Sequence, residues 1–396
     1  MDALTSEYSE IAISNGLNHQ KDLDLTSDRN KNIFAYKGQF SPDLIKGLLM
    51  KYTPKNSHVL DPFCGCGTAL FEAAKQGHSA TGIDINPAGV LMAETVIFHN
   101  IPVNKRNSIF KLCEEILDEI PPFASTTFEK LLIEKITNLK NQPARNILIN
   151  AYLKYSKMSR KRGKEVYKKI LFTHIDLIKN LPYNSKHYKV IHSDIRKSLI
   201  KPNSVDLIIT SPPYINVFNY HQHYRAITEK IGYDALHVAK SEFGSNRKNR
   251  QNRFLTVTQY VLDMAEAMNH LKPCLKSNGR FIIVIGRQST VRSIPFRNDI
   301  LIGSIGLLLG YNIDLHQERK FKNQFGETIY EDIIHLLKEN DSVSYDKEKL
   351  MNLIEHVFNQ ALTESLEPTV RKDLLLAIKE IRNIPPSPVY IKVQSE

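Results

Sequence analysis

One stretch restricts the fold of this 396-residue chain more than any other. It is HVLDPFCGCGTALFEAAKQG (58–77), followed by SATGIDIN (79–86). Val59-Leu60 is a short apolar segment of the kind that ends a buried strand. Gly65 and Gly67 then permit a turn with positive φ and close approach of the backbone to a ligand. TALFEAAKQG reads as a helix ending in Gly77, and SATGIDIN as a second short strand ending on an acid. Strand, Gly-rich turn, helix, strand and acid make a βαβ unit. The turn is not a phosphate loop, because no Gly-Lys-Ser/Thr follows it. It also lacks the third glycine of a dinucleotide fingerprint, and Asp61, which opens it, would repel a pyrophosphate. An acid there suits a cationic or amino group.

The α/β rhythm can be followed along the rest of the chain. Residues 43–50 have helical apolar spacing after Ser41-Pro42, a good helix start. Residues 87–100 read as a helix, and 104–182 as several amphipathic helices. Strands are expected at 188–195, 205–214, 279–286, 313–321 and 331–338, with helices at 255–271 and 298–312. From 345 the chain reads as mainly helical, with a Pro-rich exit over 384–391. Alternating strands and helices predict an α/β fold, a doubly wound and mostly parallel sheet, carrying a helical insertion. The expected organisation is an arm over 1–32, loosely attached, a cofactor-binding part over 33–100, a basic helical insertion over 101–187, a catalytic part over 188–340 and a helical tail over 341–396. In such sheets ligands bind at the carboxyl ends of the strands.

Composition narrows the class. No run of eighteen apolar residues exists, and the polar N-terminus lacks the apolar core of a signal peptide, so a cytoplasmic protein is expected. Four cysteines are too few for a disulfide scaffold. Cys64 and Cys66 have neither a second cysteine pair nor a nearby histidine pair, so small buried residues in a tight turn are expected and no metal. The net charge of +11 is concentrated: residues 101–190 hold 18 Lys or Arg against 8 Asp or Glu. Such a segment suits an anionic partner.

Asp61, Asp84 and Asp194 stand at three successive strand ends. Asp84 is placed to hydrogen-bond both hydroxyls of a ribose, and Asp194 to accept from an adenine amino group. One acid alone is more simply an N-cap or a solvated loop residue. Three beside a Gly turn favour a ligand.

These residues carry a specific resemblance. DPFCGCGT (61–68) resembles motif I of the amino-methyltransferases that act on nucleic acids, GIDINP (82–87) their motif II and HSDIRK (192–197) their motif III. AYKGQFSPDLI (35–45) is similar to motif X, which precedes motif I and closes over the methionine moiety. The resemblance implies a Rossmann-like class I methyltransferase with S-adenosylmethionine as cofactor. It assigns Phe40, Asp61, Phe63, Gly65, Gly67, Thr68, Asp84, Ile85 and Asp194 to cofactor binding.

Ser211-Pro212-Pro213-Tyr214 follows the apolar strand DLIIT. Two prolines fix φ and remove two amide donors. The turn therefore offers carbonyl acceptors, Ser211 adds an oxygen and Tyr214 a flat face. That set suits an NH2 group on an aromatic ring, held by its hydrogens while the ring stacks. A lone Pro-Pro-Tyr is usually a mere turn, but here it ends the strand after Asp194. It resembles the family's motif IV, (D/N/S)-P-P-(Y/F/W). The resemblance implies that Ser211, Pro212, Pro213 and Tyr214 are catalytic, and that serine in the first position accompanies cytosine N4 rather than adenine N6 methylation.

A base in a duplex must be flipped out to reach such a turn. Tyr214, Tyr220 and Tyr224 are candidates to stack on it, the latter two equally readable as core aromatics. Phosphate contacts are expected from Lys157, Arg160, Lys161, Arg162, Arg247, Lys248, Arg250 and Arg253. The helical insertion falls where one family class carries target recognition. A solvated face that only packs on the core is its plainer reading. Double-stranded DNA and a cognate restriction endonuclease are the partners the resemblance implies. Adenine N6 methylation, an RNA base amino group and a silent nucleic-acid-binding protein are the competing readings.

Overall fold

A computed structural model describes residues 3–25, 33–34, 36, 38–122, 125–158, 163–215, 220–245, 249–322, 326–339, 345–364 and 366–391. Short Val- and Ile-rich segments form its sheet: β1 (His58–Asp61), β2 (Ser79–Asp84), β3 (Tyr188–His192), β4 (Val205–Thr210) and β5 (Leu275–Gly286). A hairpin follows, β6 (Gln288–Val291) and β7 (Ile294–Arg297), and then β8 (Tyr311–Lys322) and β9 (Thr328–Lys338). The seven-stranded order is β3-β2-β1-β4-β5-β9-β8, with the hairpin apart. The first five strands run parallel, and β9 is antiparallel to both β5 and β8. The strand order reverses between β1 and β4. That is the topological switch point at which such sheets leave a crevice.

Successive residues on each central strand feed two different cores. Val59, Leu207, Ile209, Ile282 and Val284 join one; Leu60, Ile208, Ile283 and Ile285 join the other. The sheet is therefore buried on both faces, which explains its near-continuous apolar runs. The helices Pro42–Tyr52, Thr68–Lys75 and Pro87–Ala93 cover the first face. Leu255–Leu271, Asn298–Leu308 and Lys347–Ala361 cover the second.

The expected helix over 87–100 is an α-helix to Ala93 continued as a 3-10 helix, Glu94–Asn100. The insertion comprises helices Val103–Asp118, Ser125–Asn138, Gln142–Tyr155 and Lys164–Lys179. Its apolar side shares one core with the sheet face. Asn146 and Asn150 both donate to the Leu91 carbonyl, at 2.7 and 2.9 Å. Buried Arg106 donates to the carbonyls of Phe98, Ile101, Ile178, Lys179 and Leu181.

The N-terminal segment departs from the expected loose arm. Its described part, 3–25, is docked on the far edge of the sheet. Tyr8 and Leu23 are buried, Ile13 bridges to His316 in parallel, and Gln20 Nε2 donates to the Glu318 carbonyl at 3.0 Å. The polar composition masked two large apolar side chains that have cores to fill. Among the described residues no helix is long and apolar enough to cross a membrane.

Candidate active site

The motifs converge because each follows the carboxyl end of a parallel strand. Asp61 ends β1, Asp84 ends β2, Asp194 lies two residues past β3, and Ser211 follows β4 directly. Asp61, Phe63, Gly65, Thr68, Asp84, Ile85, Asp194 and Phe40 all line one cavity of about 860 Å³, together with Ser211 and Pro213.

Gly65 takes φ 49°, and a Cβ there would meet the Tyr36 ring at 3.2 Å. Its amide donates to Asp84 Oδ2 at 2.8 Å, while Asp84 Oδ1 accepts from Asn86 N at 2.7 Å. Asp61 accepts from the Thr210 hydroxyl at 2.6 Å and from Phe63 N. That bond ties the cofactor-side strand to the last residue before Ser211. Burial pushes the Asp61 carboxyl up to about 7, with Asp84 adding repulsion, and burial pushes Asp84 up to about 6. Glu242 adds a fourth acid to the wall and further repels Asp84. Among the described residues no lysine or arginine lines this cavity; its aromatic walls are Phe40, Phe63, Phe243 and Tyr36.

Two assignments are corrected. Asp194 lines the cavity, but Oδ1 accepts from Arg196 N and Nε, and Oδ2 from Arg196 Nη2 and Tyr390 N. These four bonds use the carboxylate's acceptor capacity, so its oxygens are not left for an adenine amine. Gly67 is not in the lining. It precedes the Thr68–Lys75 helix at φ 88°, and a Cβ there would meet Ala93 Cα at 2.9 Å, so it serves helix packing.

A second cavity lies on the other side of Ser211. It shares Gly38, Gln39, Phe40 and Ser211 with the first and adds Tyr214, Arg319, Phe321 and Glu331. Ser211 Oγ and the Tyr214 hydroxyl are 3.2 Å apart. The Tyr214 ring lies against Gly286, where a Cβ would come within 3.1 Å of it. Pro212 is buried and lines neither cavity.

Tyr224 also lines neither. It is buried, stacks on Tyr36 at 6.0 Å and 7°, and carries the Lys157 ammonium 3.4 Å above its ring. Its core reading holds, and Lys157 packs toward the protein because that ring attracts its charge. Tyr220 begins the Tyr220–Lys230 helix. Arg250 is exposed and Arg253 half-buried; Arg160, Lys161, Arg162, Arg247 and Lys248 lie outside the described residues.

Sequence reasoning did not single out Glu242, Phe243, Asn86, Arg196, Arg319 or Glu331. Asn86 had a signal, standing next to Pro87 as an N-cap whose side chain accepts from Ala88 N. Arg196 stood inside the segment resembling motif III, and the others come from segments for which no motif was drawn. All four cysteines are buried and free, as expected of small core residues.

A family described as DNA methylase, of the N6/N4 type, matches residues 8–95. The type II methyltransferase M.AvaI of a Nostoc species is 24% identical over 303 residues, covering 61% of this chain and 63% of that protein. The matched part is thus less than two thirds of that relative. The type II methyltransferase M.MjaII of Methanocaldococcus jannaschii is 35% identical over 77 residues, 18% of this chain and 14% of its own. Among solved structures, a SAM-dependent methyltransferase from Methanosarcina mazei aligns over 74% of this chain and 96% of its own, at 11% identity and TM-score 0.35. The motifs X, I, II and IV are set around one pair of adjoining cavities, and over residues 8–95, which contain the first three of them, the chain is similar to the N6/N4 DNA methylases.

Proposed function

We propose that the chain binds S-adenosylmethionine in the first cavity and transfers its methyl group to the exocyclic amino group of a flipped-out DNA base held in the second. The observation that carries this reading is the shared wall: Ser211 and Phe40 line both cavities. The donor set fits the cofactor. A cluster of acids suits a ligand bearing an ammonium and a sulfonium, Asp84 suits the ribose diol, and the aromatic walls suit adenine. When bound, the cofactor supplies an electrophilic methyl on a sulfonium that leaves as a neutral thioether.

The chain's own part is to expose a lone pair. An exocyclic amine is delocalised into its ring and is a poor nucleophile. Acceptors at Ser211 and in the proline turn hold its hydrogens, and Pro212 and Pro213 bring no competing amide donor. The nitrogen gains the methyl carbon and gives up one N–H proton to solvent. Ser211 in the first position of the motif favours cytosine N4 over adenine N6. The basic helices of 101–187 support the reading of a DNA partner and of a share in sequence choice. Mass spectrometry of nucleosides from DNA of cells expressing the protein tests this. N4-methylcytosine is expected. N6-methyladenine in its place would move the target, and neither product would remove DNA methylation altogether.

The two raised carboxyls give a pH prediction. Free aspartates titrate near 4, whereas these hold protons to about 6 and 7. Between those values the ligand-free fold binds more protons than the unfolded chain. Their contribution to stability is therefore greatest below about pH 4 and is lost as pH rises through about 6–7. A cation beside them acts in the opposite sense, because it favours the charged forms and its binding expels protons. The dissociation constant for S-adenosylmethionine is expected to be about tenfold weaker near pH 5.5 than near pH 8. Calorimetry in buffers of different ionisation enthalpy should register proton release near neutrality. A constant affinity across that range would take both acids out of contact with the cofactor.

A further inference from the structure

The second cavity has a polar end that the methyl-transfer chemistry does not use. Arg319 on β8 and Glu331 on β9 are cross-strand partners, and both line it. Arg319 is 3% exposed. Its Nη2 donates to the Leu25 carbonyl at 2.9 Å, and its guanidinium lies 4.6 Å from the centre of the Phe321 ring. Its Nε is buried without a hydrogen-bond partner among the described residues. Glu331 Oε2 is 3.6 Å away, close enough for charge attraction and too far for a hydrogen bond. A buried N–H in that condition calls for a partner.

We propose that Arg319 is the residue that reads the target base, donating to O2 and N3 of a flipped-out cytosine whose amino group is held at Ser211-Pro212-Pro213, with Glu331 and the Leu25 carbonyl positioning the guanidinium. This rests on the cytosine reading above. Cytosine's amino group and its O2 stand at opposite ends of one edge, with N3 between them. A site that meets the amino end with acceptors must meet the other end with donors, and arginine only donates. Adenine presents a C2–H beyond its ring nitrogen and leaves one donor unsatisfied in a buried place. Sites built to pair a polar group reject ligands that lack it far more strongly than apolar pockets reject a misfit. Thymine carries a carbonyl where the amine would be and is repelled by the acceptor turn. Phe321, Phe40 and Tyr214 supply apolar surface for the ring between the two polar ends.

The test begins with the wild-type protein in a host that makes neither N4-methylcytosine nor N6-methyladenine. Single-molecule sequencing identifies the modified site, and synthetic duplexes then carry cytosine or adenine at the target position. Arg319→Leu is expected to lower kcat/KM on cytosine by about 100-fold while sparing the slow reaction on adenine, so that the preference collapses by about the same factor. Arg319→Lys keeps a charge without the fork and should lose about tenfold of the preference. It also serves if the leucine variant does not fold. Glu331→Gln should lower the preference by a similar amount. In all three, calorimetric affinity for S-adenosylmethionine should stay within about twofold of wild type, because the cofactor cavity is not touched. Equal loss on both bases, or an unchanged preference, would show that Arg319 only supports the fold. Wild-type protein that yields N6-methyladenine and no N4-methylcytosine would overturn the cytosine reading and the proposed contact with O2 together. That result appears before any variant is made, so the two failures are distinguishable.

Discussion

Ser211→Ala, Pro212→Ala and Tyr214→Ala are expected to lower turnover by a factor on the order of 10²–10³, the usual effect of removing one preorganised polar group from a reacting centre. Affinity for S-adenosylmethionine should change little. Each substitution acts differently. Ser211→Ala removes an oxygen on the wall between the cavities and strands the Tyr214 hydroxyl 3.2 Å away. Pro212→Ala returns an amide donor to a turn proposed to work by accepting. Tyr214→Ala empties the face that covers Gly286. Asp84→Ala should do the reverse. It removes the carboxylate that accepts from Gly65 and Asn86 and faces the first cavity. Cofactor affinity should then fall by about 10- to 100-fold, at roughly 1.4 kcal/mol per tenfold, with turnover at saturating cofactor largely kept. Calorimetry and single-turnover rates separate the two patterns. If the Ser211 and Asp84 variants lost cofactor affinity alike, the division into a cofactor side and a base side would be wrong.

Arg196→Ala is expected to destabilise the fold by about 3–5 kcal/mol, the effect of breaking a buried ion-pair network from one side. Its side chain is 3% exposed and pairs with Asp194 at 2.7 Å and Asp263 at 2.9 Å, themselves 1% and 0% exposed. Burial opposes its charge, and these partners more than offset that, so its pKa is raised. The same guanidinium donates to the carbonyls of Ser387 and Pro388, while Asp263 accepts from the Ser387 amide and hydroxyl. Removing Arg196 leaves two buried carboxylates without their cation and takes two of its bonds from the Pro-rich exit. Denaturant unfolding should register a lower midpoint, and Arg196→Lys should recover only part of it, since a single ammonium cannot reach every partner. A midpoint within error of wild type would remove this network from the stability of the site.

The site was legible wherever its chemistry is local in sequence. Asp61 through Thr68, Asp84 and Ser211 through Tyr214 are short motifs at strand ends, and the structure brings them to one crevice. The sheet was legible from apolar runs, because both of its faces are buried. What escaped is made by distant pairing. Arg319 and Glu331 sit on antiparallel strands whose register depends on the whole hairpin, and nothing around either marks it. The β6–β7 hairpin escaped for a different reason: its turn places Arg292 and Ser293 at positive φ, with neither Asn nor Gly to announce it. Asp194 was placed rightly and given the wrong partner, because Arg196, two residues on, competes for its oxygens. Tyr8 and Leu23 were hidden in a polar segment whose attachment depends on strand β8.

The docking of residues 3–25 bears on the order in which the molecule assembles. Contacts such as Gln20 to Glu318 and Arg319 to Leu25 join positions 298 and 294 apart in sequence. Closing a loop of that length before other structure forms is entropically unfavourable, and pairings of such separation are slow. The βαβ unit around Asp61, with its short crossovers, should condense first. The N-terminal segment should settle last, once β8 and the Asn298–Leu308 helix offer it a surface. The guanidinium proposed to read the base leans on the Leu25 carbonyl, so on this order catalytic competence would be reached only at the final folding step, after the cofactor cavity has already formed.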